Sequence, residues 1–135
     1  MMKKLFFLFL ALLSLQCSKS QDSETTGLNS DKMLALINQQ RQKDCGSNYF
    51  KPVPPVKWNK TIGKVAKAHS DDMLKRNELT HYSKNGQDPG GRLINAGYEW
   101  ATWAENVAMG QQNEEEAMKS WLESPGHCAN IMNAQ

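Results

Sequence analysis

The sequence predicts a single α/β domain. Apolar residues recur at helical spacing behind good capping residues in several stretches, and one short run of small apolar residues, 103–109, reads as a buried strand. The length of 135 residues is room for one domain. A hydrophobic content of 39% and a charged content of 22% are an ordinary globular balance. That balance excludes a disordered tail, a collagen-like chain, a coiled coil and a multi-span membrane protein.

The N-terminus carries its own signal. Lys3 and Lys4 precede the apolar run Leu5 to Leu15, which is too short for the roughly 20 residues that span a bilayer. A basic start and a short apolar run read as an export signal over residues 1–17. The run ends at Cys17, as in bacterial lipoprotein signals, so Cys17 is the candidate lipidation site and the implied route to a membrane anchor. The alternative is plain secretion with cleavage nearby. Residues 18–30 are polar and read as a tether. The formal net charge is +2, and loss of Lys3 and Lys4 leaves as many basic residues as the 14 acidic ones. No basic field remains to attract nucleic acid.

The elements follow in order. Asp31 to Lys43 reads as a helix with Met33, Leu34 and Ile37 on one face, capped by Asn29, Ser30 or Asp31. Residues 47–60 hold Pro52, Pro54 and Pro55 and read as extended loop. Asn59 or Thr61 opens a second helix to about Asn77, with Ile62, Val65, Ala66, His69 and Met73 as its stripe. Ser83 to Gly91 is a loop rich in turn residues. Arg92 to Ala96 reads as a short helix stopped by Gly97. Asn113 caps a further helix whose first turn holds Glu114, Glu115 and Glu116, read as a solvated helix start. Ser124-Pro125 begins the last short helix.

With Cys17 lipidated, Cys45 and Cys128 remain, an even number in an exported chain, which favours a disulfide over two separate thiols. The candidate chemistry lies elsewhere. Glu105 sits inside an apolar run, where a carboxylate must be paired or bound to a cation. His81 and His127 lie on either side of it in sequence. Two histidines and a carboxylate suit Zn²⁺ with a fourth position for water, although their spacing matches no local metal motif. His69, on the apolar stripe of its helix, reads as a core histidine with a satisfied hydrogen bond.

His81-Tyr82-Ser83, Ala104-Glu105-Asn106-Val107-Ala108 and Trp121 through Ser124-Pro125-Gly126-His127 to Asn130-Ile131 together resemble the CAP superfamily. This is the group of cysteine-rich secretory, antigen 5 and pathogenesis-related 1 proteins, or SCP domains, and the similarity is to its bacterial branch. The resemblance covers about Lys32 to Gln135, and the domain is read as 31–135. It implies an α-β-α sandwich with a cavity of two histidines and two glutamates, where some members bind Zn²⁺ and others bind lipids elsewhere. His81, Glu105 and His127 match three cavity positions. Ser124 stands where the second glutamate falls, and Glu123 beside it is expected to be solvated and paired with Lys119. The resemblance also supports the Cys45–Cys128 pair. By the family pattern, the domain is expected to lack its C-terminal strands. The implied function is an exported or surface-anchored binding module with a metal-capable cleft and a protein or lipid ligand. Two alternatives stay open, a metal-assisted hydrolase of peptide or ester bonds and a structural domain with a buried polar network.

Overall fold

The computed structural model describes residues 29–45 and 50–134. The export signal, Cys17 and the tether as far as residue 28 lie outside the described residues. Five helices follow in order: α1 (Ser30–Gln40), α2 (Lys60–Arg76), α3 (Pro89–Asn95), α4 (Glu114–Leu122) and α5 (Pro125–Ile131).

Capping chemistry sets these boundaries. The Asn29 side chain accepts from the Lys32 amide, Asn59 from Thr61 and Ile62, and Asn113 from Glu116. Each satisfies amides that the helix itself leaves without partners. Helix α2 ends at Asn77 in the left-handed region, where Asn is tolerated, and basic Lys75 and Arg76 fill its last turn. Helix α3 starts three residues earlier than expected. Asp88 accepts from the Gly91 amide and Pro89 is preset for the first turn, so the end of the glycine-rich loop is already helical. Helix α5 begins at Pro125 as expected, although the Ser124 side chain makes no capping bond.

The helices form two groups. α1, α4 and α5 pack around Cys45, Met118, Cys128, Ile131 and Met132, all buried, with Ile37, Phe50, Val53 and Trp121 against them. The disulfide Cys45–Cys128 lies at the centre, with 5.8 Å between Cα atoms, and closes a loop of 83 residues. Arg41 is buried at the edge of this core. Its guanidinium donates to the carbonyls of Pro54, Ile131 and Asn133 at 2.6–2.8 Å, holding the chain after α5 against the end of α1. The second group is α2 with α3, around Met73 and Leu93.

Two expectations are corrected. Residues 102–109 form no strand, and no strand occurs among the described residues. A strand needs a neighbouring ladder, and side chains take these carbonyls instead. Trp121 Nε1 donates to Val107 O at 3.1 Å and Asn130 Nδ2 to Glu105 O at 3.3 Å. The acidic start of α4 is not uniformly solvated. Glu114 is buried, accepts the Asn29 amide and pairs with Lys32 at 3.2 Å, clasping the start of α1. Lys32 also holds Glu115 at 2.7 Å.

Candidate functional site

The site forms where the second helix group meets the segment around Glu105. The turn after α2 carries His81, which is half exposed. Its Nδ1 donates to Glu105 Oε1 at 2.9 Å. Glu105 Oε2 is taken by Arg92 of α3 through Nη2. Arg92 also donates through Nη1 to His81 O at 2.7 Å and, more weakly, to Gln87 O and Ser83 Oγ at 3.3 and 3.4 Å. One guanidinium therefore fixes both the backbone that carries His81 and the carboxylate that orients its ring. The planar fork of arginine suits such a role better than a lysine ammonium would.

His69 stands behind this pair. It is buried, its Nε2 donates to Thr80 O at 2.8 Å, and the same nitrogen lies 4.0 Å from Glu105 Oε1. The core histidine expected from its helix face is thus present, with one ring nitrogen bonded. Its Nδ1 is buried without a hydrogen-bond partner.

His127 arrives from α5. Asn106 Nδ2 donates to His127 O at 3.1 Å, and Asn130 Nδ2 donates to Asn106 Oδ1 at 2.9 Å. The strut 105–107 therefore carries Glu105 toward His81 and is bonded to the helix that carries His127. The His127 Nδ1 atom is buried without a hydrogen-bond partner. Glu123 is exposed, as expected, but forms no ion pair with Lys119 among the described residues.

The expected three-ligand set does not converge. Among the described residues, no three His, Cys, Asp or Glu side chains come together closely enough to hold a metal ion. Both oxygens of Glu105 are engaged, which makes it an orienting carboxylate. A histidine whose Nδ1 is held by a carboxylate presents Nε2 outward, the arrangement found behind metal-ligating histidines. His81 has this arrangement, with Glu105 behind it.

Sequence reasoning did not single out Arg92. The signal was indirect: a carboxylate in an apolar run demands a cation, but nothing in the spacing says which.

The sequence model of the cysteine-rich secretory protein family, CAP, matches residues 34–135. The chain belongs to the CAP family. Two curated relatives come from Bacillus subtilis (strain 168). One is named uncharacterized protein YkwD, 34% identical over 102 residues, which are 76% of this chain and 37% of the relative. The other is named uncharacterized membrane protein YlbC, 29% identical over 79 residues, 58% of this chain and 23% of the relative. The chain thus spans about a third or less of the length of these relatives. No solved structure matches this CAP domain. No helix among its described residues is long and apolar enough to cross a membrane.

Proposed function

We propose that this CAP domain is an exported or surface-anchored binding module whose cleft holds a divalent cation, Zn²⁺ by the chemistry of its donors, between His81 and His127. The observation that carries the reading is the His81–Glu105 bond. It fixes Nδ1 as the protonated nitrogen and leaves Nε2 as the lone pair that a cation takes. The unpartnered Nδ1 of His127 supports the same reading. A bound cation would supply a Lewis-acidic point with open positions for a ligand. Around it, Arg92 holds Glu105, Glu105 holds the His81 ring, and Asn106 fixes the backbone of His127.

The protein or lipid ligand, the anchor at Cys17 and the α-β-α sandwich belong to the same proposal, with the five helices as the helical part of the sandwich. A hydrolase fits less well, because His81 and Arg92 already hold the two oxygens of Glu105, and no second carboxylate stands beside them among the described contacts. A structural reading has its own support, since Arg92 already balances the Glu105 charge without a cation.

A calorimetric Zn²⁺ titration of the full chain beside a His81→Ala, His127→Ala double variant separates these readings, with circular dichroism checking that both are folded. One equivalent bound by the parent and none by the folded variant is the expected result. No binding by a folded parent leaves the structural network as the function of these side chains. Affinity should also fall below about pH 6, where histidines take up protons; constancy to pH 5 would exclude histidine ligation.

A further inference from the structure

His81 is carried by a segment without regular structure. Helix α2 ends at Arg76 and α3 begins at Pro89, and among the described residues no backbone–backbone hydrogen bond reaches 79–82. The ring is half exposed and is held by its 2.9 Å bond to Glu105. A backbone shift of roughly 1 Å would carry Nδ1 out of hydrogen-bond range of that carboxylate. Fixing the backbone is therefore the condition for orienting the ring.

Side chains fix it, one carbonyl at a time. Thr80 O accepts from His69, His81 O from Arg92 and Tyr82 O from Arg76, at 2.7–2.8 Å. His69 and Arg92 are buried, and both touch Glu105 or lie close to it. Arg76 differs. Its side chain is 21% exposed, and among the described residues it has no hydrogen bond to the His81 ring or to Glu105. Its Nη2 donates to Tyr82 O and pairs with Asp72 Oδ2 at 3.0 Å. The same Asp72 oxygen accepts the Lys84 amide at 3.2 Å. Asp72 and Arg76 lie one turn apart on α2, on the face that also carries His69. The pair thus grips the chain on both sides of Ser83, directly after His81.

An ion pair along a half-exposed helix face adds little stability by itself. What sets this pair apart is that it bonds two backbone groups of the segment that carries His81. We propose that Arg76, held by Asp72, is a positioning residue for His81, acting through the backbone of 82–84 to keep the ring on Glu105. The positioning stands on this geometry alone. Only its effect on cation affinity rests on the reading of His81 as a ligand.

The test reads the His81 ring nitrogens in the isotope-labelled full chain, by long-range ¹H–¹⁵N NMR in chelator at about pH 8, above the ordinary histidine range. The parent should show one tautomer, protonated on Nδ1. Arg76→Met and Asp72→Asn should each give a mixture of tautomers, with His69 and His127 as in the parent. Asp71→Asn breaks the Lys67 pair of the same spacing on α2 and should leave His81 unchanged. In a Zn²⁺ titration, Arg76→Met should bind about 10- to 100-fold more weakly than the parent. An unchanged His81 ring in the folded Arg76→Met and Asp72→Asn proteins overturns the proposal. So does an equal change in Asp71→Asn, or a parent that already shows a mixture. A parent that binds no Zn²⁺, with the tautomer still lost in both variants, overturns the cation reading and supports the positioning.

Discussion

Two arginines are buried in this domain, and they do different work. Arg41 lies beside the disulfide core and gives its hydrogen bonds to three backbone carbonyls. Burial holds its guanidinium below the ordinary arginine range, since no carboxylate among its described contacts offsets the lost solvation. Arg92 lies in the α2–α3 group and meets a carboxylate, Glu105, which itself holds a histidine. The first arginine closes the segment after α5 onto an apolar, covalently stapled core. The second organises titratable side chains around a partly open site. The disulfide and its apolar cluster lie in one half and the cluster of titratable side chains in the other, with the strut 105–107 between them.

The comparison can be broken most strongly at the staple. Replacing Cys45 and Cys128 by Ser should cost about 4–5 kcal/mol on the loop-entropy model for a loop of this length. The urea midpoint of the oxidised and variant chains measures it, and the α1–α4–α5 group should lose amide protection first. Arg92→Met comes next, at about 3 kcal/mol, because it leaves the Glu105 charge uncompensated in a partly buried place. Pairing it with Glu105→Leu should recover much of that loss. A double variant no better than Arg92→Met would mean that Arg92 serves mainly its carbonyl acceptors.

Arg41→Met sharpens the contrast. It strands carbonyls and no charge, so about 1–3 kcal/mol is expected, with no rescue available from any carboxylate change. Thermal melts of the two Arg→Met variants side by side give the answer.

The smallest effect is pH-dependent. The Asn29 amide, first, and then Lys32 hold Glu114 below the usual carboxylate range. The folded value is thus the lower one, and the stability it confers is full above the unfolded carboxylate range near pH 4.3. That stability is lost as pH falls through the folded value. Amide exchange at the start of α1 should therefore accelerate in acid, and Glu114→Gln should flatten that dependence.

Much of this was legible in the chain because it is local. The caps at Asn59 and Asn113 and the proline at 125 need only near neighbours, and the structure has each where the pattern puts it. The disulfide followed from the cysteine count together with an N-terminus that reads as an export signal. The family resemblance implied that His81 and Glu105 share a cavity, and a carboxylate among apolar residues needs a partner, but their direct bond was not foreseen. The rest depends on what packs where. Glu114 looks like its neighbours Glu115 and Glu116, and only the arrival of α1 distinguishes it. Residues 103–109 have strand composition, but pairing is a property of neighbours, and here side-chain donors from α4 and α5 reach these carbonyls. Arg92 looked like the first residue of a short helix because its four acceptors are scattered between residues 81 and 105.

The strut has a further consequence for how the sequence can vary. Glu105, Val107 and His127 are held partly through their carbonyl oxygens, and a bond to a carbonyl is blind to the side chain of the residue that offers it. The donors Asn106, Trp121 and Asn130 have no such freedom, since each bond requires a side chain of that length and polarity. Tolerance to substitution should therefore be lopsided across each contact. Val107 should accept most residues of similar bulk, while its partner Trp121 should accept almost none.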